Sequence, residues 1–346
     1  MSIDNIVSKR NDRINYGIAL LKMLMCFEVI LIHFWVGPVT YTLIPFSKLV
    51  GLAVPTFMFL SFYFAEKSFL TIDDNKIKKR MWRIGYPQIG WALIYWSIYC
   101  ILQIKNSSGI TFYDLLWQIL TGHSPKINPS MWFQTVLILL TIVYVLIFRL
   151  FKDRKGLILI FFITIFSLWF QYSGYNLMLF GSLRYELKFP LGRICEMFPY
   201  ASIGFFTAHF DVFNRLKKYR LICVILFGVI SIFLFKYNNI IPPSIGYGYS
   251  HHNNLLHVFF VVGFAFLLPF ERFSIKEKKL LQHITRYTLG IYCMHRLIAF
   301  LLNLALAIIG LELNSFLFCV IIYIIAFCTS FVMCKLSSKY LKPLVA

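Results

Sequence analysis

The sequence predicts an all-α fold, a polytopic transmembrane helix bundle of about ten spans, and three observations carry that prediction. Hydrophobic residues make up 59% of the 346 and only 14% are charged, against roughly 25% charged in soluble domains; the mean hydropathy is +0.73. Ten apolar stretches are long enough to cross a bilayer at about 20 residues per helix. The Lys and Arg residues of the terminal segments and the loops are sorted, 25 on one side and six on the other. Cytoplasmic loops carry the excess of Lys and Arg, so both termini are expected in the cytoplasm. A single integral-membrane domain is expected over residues 1–346, without an appended soluble domain.

The spans are expected near 14–36, 46–66, 84–103, 131–150, 156–173, 190–208, 219–236, 255–271, 287–309 and 314–335. The first is preceded by MSIDNIVSKRNDRINYG, which lacks the features of a secretory signal, and no small-residue cleavage site follows it; the helix is expected to be retained. Its apolar run holds Lys22, Glu28 and His33, and ionisable groups at membrane depth are costly and usually functional. Lys22 and His33 are eleven residues apart, which on a helix leaves them roughly 20° from alignment and ~16 Å apart along the axis. One face thus carries a cation near one end and a titratable base near the other. The plainer alternative is a snorkelling lysine and a satisfied interior histidine. Glu28 falls about 140° from His33 and is expected to pair with another helix.

In the second span Pro55 predicts a kink unless a neighbour satisfies the freed carbonyl. The loop that follows ends with Arg80 and Arg83, which share a face at i, i+3 on a helix. They are either ordinary cytoplasmic charge or a grip for a phosphorylated ligand. Residues 104–130 read as a turn-rich outer loop with an exposed His123. Trp132 and Phe133, at the mouth of the fourth span, suit an interfacial aromatic belt or stacking against sugar rings. Arg193 and Arg296 are further cations within spans and should face the interior with partners, Glu28 and Glu196 being the carboxylates within reach. A late outer loop holds His251 and His252; adjacent histidines point apart, which favours acceptor contact over a metal site.

The net charge of +20 would suggest nucleic acid for a soluble chain, but it lies in short loops and the expected partner is the bilayer. Eight cysteines lie in or beside apolar runs without a CxxC pair, so they are expected to pack as small membrane residues, with no metal site.

Several of these pieces together resemble the membrane acyltransferase-3 family, bacterial integral-membrane proteins that O-acylate surface and exported glycans. The resemblance rests on Lys22 with His33 eleven residues on, Arg80 and Arg83 before Pro87, the Trp132–Phe133 pair, and Gly290, Ile291 and Tyr292 before His295. Arg193 is similar to an arginine ahead of the family's Phe- and Gly-rich sixth helix. Two positions depart from the pattern: Ala19 stands where relatives carry Asp, and Ser61-Phe62 where they carry Ser-Gly.

The resemblance implies an acyltransferase of the bacterial cell membrane, with acetyl-CoA or another acyl-CoA as donor substrate and a glycan hydroxyl as acceptor. It implies no permanently bound cofactor. In that reading His33 is the general base and Lys22 is catalytic with it, Lys22, Arg80 and Arg83 meet the donor's phosphates, and Trp132, Arg193 and His295 meet the acceptor. Glu28 is grouped with these last three as an intramembrane carboxylate. A transporter or flippase of glycan precursors is the alternative from another class; it would need no base, and internally repeated halves would favour it.

Overall fold

A computed structural model describes residues 15–33, 51–102, 109, 111–123, 128, 130–151, 153–172, 185–237, 254–268, 274–310, 316–339 and 344. No strand occurs among the described residues. The helices are α1 (Tyr16–His33), α2 (Ala53–Leu70), α3 (Asp74–Leu102), α4 (Phe112–Thr121), α5 (Trp132–Phe151), α6 (Asp153–Tyr172), α7 (Tyr185–His209), α8 (Val212–Leu216), α9 (Arg220–Tyr237), α10 (Asn254–Leu267), α11 (Ile275–Arg286), α12 (Thr288–Ile309) and α13 (Phe316–Ser337). Every predicted apolar stretch is matched by one of them. Two among the described residues, α5 and 288–306 of α12, are by themselves long and apolar enough to cross a bilayer.

α1 stands at the centre, packed by α2, α10, α11, α12 and α13. α2, α5 and α7 form a second, aromatic-rich body around Phe59, Phe62, Phe69, Tyr144, Phe148 and Phe205, all fully buried. α2 and α7 approach backbone to backbone: a Cβ on Gly204 would lie 2.2 Å from the Phe59 carbonyl oxygen, so only glycine fits. α6 and α9 lie outermost and turn Phe161, Phe162, Phe166, Leu221, Ile225 and Phe233 outward. Outward apolar stripes of this length suit hydrocarbon rather than water.

Two expectations change. The second span starts later than its apolar run: α2 begins at Ala53, so Pro55 falls in the first turn, where a missing N–H costs nothing and no kink follows. The segment 104–130 is also more than a loop. Thr111 and Asp114 form a capping box that starts α4, and Gly122 at φ +66° ends it in the left-handed conformation. The start of α4 is fixed by the Trp96 indole donating to the Thr111 carbonyl, and its end by Gln88 Nε2 donating to the Ile119 carbonyl at 3.2 Å. Trp96 and Gln88 are eight residues apart on α3, so α4 runs back along α3 into the bundle by about 12 Å. His123 is consequently buried, not exposed.

At the opposite end Asp73 caps α3, accepting from the Lys76 N–H at 3.0 Å; the hydrogen bonds from Lys76 hold its carboxyl below the usual range. Arg149, in the last turn of α5, pairs with Asp74. These contacts align the two helices, so depth can be compared between them. α11 opens on a capping box of Ser274 and Glu277, donates from Gln282 to the Tyr16 hydroxyl and leads through Tyr287 into α12.

Candidate functional site

The sequence-predicted residues fall into two groups joined by α1, α3 and α5. The inner group is cationic. Lys22 is half-buried on α1, its ammonium 5.1 Å from the centre of the Phe64 ring. Arg83 is exposed on α3, and its positive charge reaches both Lys22 and Arg80. Among the described residues no carboxylate forms an ion pair with any of the three. The structure therefore brings Lys22, Arg80 and Arg83 together with like charge facing like charge, an arrangement that an anion would relieve.

The two arginines are nonetheless held differently. Arg80 donates from Nε to Thr141 Oγ1 at 3.1 Å, from Nη1 to the Ser61 carbonyl at 3.1 Å and from Nη2 to Ser61 Oγ at 2.8 Å. Its guanidinium also lies over the rings of Phe62 and Phe69. Arg80 thereby ties α3 to α2 and α5. Phe62, where the family pattern has glycine, supplies an aromatic shelf for that guanidinium and packs 4.7 Å from the Tyr144 ring. Pro87 sits inside α3 and, lacking an N–H, leaves the Arg83 carbonyl without its helical partner.

Glu28 pairs with no cation among the described residues. Its Oε1 accepts the backbone N–H groups of Gly51 at 2.5 Å, Leu52 at 2.8 Å and Ala53 at 3.1 Å. Those donors open α2, where N–H groups have no helical acceptor and the dipole favours negative charge. Gly51 reaches the carboxylate at φ +132°, a conformation that suits glycine. Glu28 does join another helix, as expected, but through its backbone.

The outer group is a buried polar network around the start of α5. Arg193 on α7 pairs with Glu196 at 2.5 Å and lies 4.8 Å from the Trp132 ring centre. Trp132 and Phe133 are both buried, which removes them from an interfacial belt; the edge of Phe133 meets Tyr292. The Tyr292 hydroxyl donates to the Ser130 carbonyl. His295 Nδ1 donates to the Tyr292 carbonyl, so in the neutral ring the lone pair lies on Nε2. Gln134 Nε2 donates to Cys293 Sγ at 2.9 Å, Gln88 Nε2 to Thr135 Oγ1 at 2.9 Å, and the Tyr95 hydroxyl to the Cys293 carbonyl at 2.8 Å. Arg296 lies within electrostatic reach of Tyr95, Tyr99 and His295.

The two groups stand at a consistent separation. Along α5, Thr141 under Arg80 is nine residues from Trp132, about 14 Å. Along α3, Arg80 is eight residues from Gln88, about 12 Å. Along α1, which is unbroken from Tyr16 to His33, Lys22 and His33 keep the ~16 Å that the spacing predicts. His33 closes that helix, and its side chain lies outside the described residues, as do His251 and His252.

Sequence reasoning missed Gln88, Gln134 and Tyr95 as members of the outer network. Gln88 and Gln134 had a signal, being polar amides inside apolar runs, where a buried polar group needs a partner. The Arg193–Glu196 pair had one too, in its i, i+3 spacing.

Compared with known families, the chain matches the model of an acyltransferase domain, acyltransferase-3, over residues 15–335. No curated protein and no solved structure matches it. The match takes in the cationic group, the outer network and every helix that holds them. With nearly its whole length inside that domain, the chain belongs to the acyltransferase-3 family and is an acyltransferase.

Proposed function

We propose that this protein is a multi-pass O-acyltransferase of the bacterial cell membrane, with about ten spans and both termini in the cytoplasm. It transfers an acyl group, acetyl in the simplest case, from cytoplasmic acyl-CoA to a hydroxyl of a surface or exported glycan. The observation that carries this reading is the meeting of Lys22, Arg80 and Arg83 without a carboxylate partner among the described residues, some 12–16 Å along the helices from a buried polar network. Phosphates suit the first site and a sugar suits the second.

In this mechanism Lys22 and Arg83 hold the donor's phosphates and Arg80 fixes the helix that presents them. Lys22 acts as a point charge, without the paired geometry of a guanidinium. The pantetheine arm then runs inward and brings the thioester to the outer network. A sugar hydroxyl, near Trp132 and His295, attacks the thioester carbonyl carbon while His33 takes its proton, an effect worth roughly 10²- to 10⁴-fold. The tetrahedral intermediate collapses, the C–S bond breaks, and the proton on His33 passes to the departing thiolate. Products are the glycan ester and free CoA, and the histidine returns to its starting state.

Sidedness tests the proposal and separates it from a transporter. In proteoliposomes of uniform native orientation, labelled acetyl-CoA supplied only to the cytoplasmic face is expected to acylate an impermeant glycan supplied only to the other. Transfer that requires donor and acceptor on the cytoplasmic face would reject the through-bundle route. Movement of the glycan without ester formation would favour a transporter.

A further inference from the structure

Beyond α13 two described residues, Ser338 and Leu344, meet the bundle. α13 ends at Ser337, and the next residue, Ser338, meets the Tyr287 hydroxyl through its Oγ at 3.3 Å. Six residues later Leu344 lies against α3. Its carbonyl oxygen accepts from the Trp91 indole N–H at 3.0 Å, and its isobutyl group fills the notch over Gly90. That notch exists because position 90 lacks a side chain: a Cβ there would fall 2.3 Å from Leu344 Cδ2. Trp91 is buried and Leu344 half-buried.

The notch stands in line with the cations. Gly90 is seven residues beyond Arg83 on α3, roughly 20° from alignment and about 10 Å inward. Trp91 is eleven residues beyond Arg80, again roughly 20° off and ~16 Å inward. Leu344 therefore lies on the face of α3 that carries the cations, about 15 Å inward of Arg80 and so at the depth of the outer network. A branched aliphatic group in an apolar notch, beside an amide carbonyl receiving an indole N–H, also has a chemical counterpart. Pantetheine carries a gem-dimethyl group and amide carbonyls in an extended chain.

We propose that Gly90 and Trp91 form the pantetheine subsite of the donor, and that the C-terminal tail occupies this subsite through Leu344 when no donor is bound. The inference rests on the acyl-CoA reading above. Donor and tail then compete, and the tail lowers apparent donor affinity by the fraction of time it is seated. A tail seated nine-tenths of the time weakens it about tenfold.

The test is calorimetric titration of acetyl-CoA into the full chain, into a chain ending at Lys339, and into full-length Leu344→Ala, each purified in detergent and checked for folding by thermal unfolding. Ending the chain at Lys339 is expected to tighten acetyl-CoA binding about tenfold, with Leu344→Ala moving the same way by less. Gly90→Ala in the shortened chain is expected to weaken it, since the added methyl fills the notch. Equal affinity in the full chain, the shortened chain and Leu344→Ala would overturn the tail's role and leave the donor reading standing. Unchanged affinity on Gly90→Ala would overturn the subsite. No binding of acetyl-CoA to any folded form would overturn the donor reading itself, and this inference with it.

Discussion

At the inner end of the bundle, three positive charges gather around Arg83 with no carboxylate to answer them among the described residues. At the outer end Arg193 has Glu196 and the Trp132 ring, Tyr292 has the Ser130 carbonyl, and Gln88 and Gln134 each have an acceptor. A chain that pairs its charges so closely in one place and, among the described residues, leaves them facing each other in another is using the two places differently. The outer network is assembled before any ligand arrives, which suits positioning of a reacting group. The inner cluster stores repulsion that an incoming anion would relieve, which suits capture.

The largest expected effect falls on chemistry rather than on either cluster's integrity. His33→Ala should lower acyl transfer by roughly 10²- to 10⁴-fold, read as glycan ester content at matched protein level, with acetyl-CoA affinity unchanged. Normal ester content in a well-expressed variant would remove His33 as the base and shift attention to His295. Next comes the outer network's pairing. Arg193→Met leaves the Glu196 carboxylate without its partner, and breaking a buried pair on one side costs about 3–5 kcal/mol. Thermal unfolding in detergent should show a large drop, partly recovered by adding Glu196→Gln. No drop at all would mean that the network is not preassembled, and the contrast between the two ends would fail.

The sequence exposes the long helices because each coincides with a continuous apolar run, and α1 with Lys22 and His33 on one face follows from helical geometry alone. What it hides depends on distant partners. Arg80 reads as one more cytoplasmic charge until Ser61 and Thr141 are seen beneath it, 19 and 61 residues away. Glu28 looks like half of an ion pair, yet Gly51 and the early Pro55 marked a helix start in need of an acceptor. The inward return of α4 was partly written in Thr111 and Asp114, a capping signal inside what reads as an outer loop. Its depth, however, is set by the Gln88 and Trp96 hydrogen bonds, which no local pattern announces.

A moderate effect is expected at Lys22. Its ammonium lies over the Phe64 ring and pairs with no carboxylate among the described residues, so Lys22→Ala removes a charge that those residues do not use for pairing. Acetyl-CoA affinity should fall about tenfold, 1.4 kcal/mol, while Lys22→Arg retains most of it because a point charge serves this contact. Loss of stability without loss of affinity would place Lys22 among the structural cations and break the comparison at its inner end.

The smallest effect separates the two arginines of one motif. Arg80 already spends three hydrogen bonds and two ring contacts on α2 and α5, a planar fork that an ammonium does not reproduce. Arg80→Lys should therefore lower thermal stability and carry affinity down with it, as α3 loosens. Arg83 is exposed, and among the described residues charge alone connects it to its neighbours, so Arg83→Lys keeps what those contacts use. Its expected signature is unchanged thermal stability with a fall in acetyl-CoA affinity of only a few-fold, the loss of guanidinium geometry toward a phosphate. If instead Arg83→Lys destabilises the protein as Arg80→Lys does, both arginines are struts, and Lys22 is left alone to meet the donor.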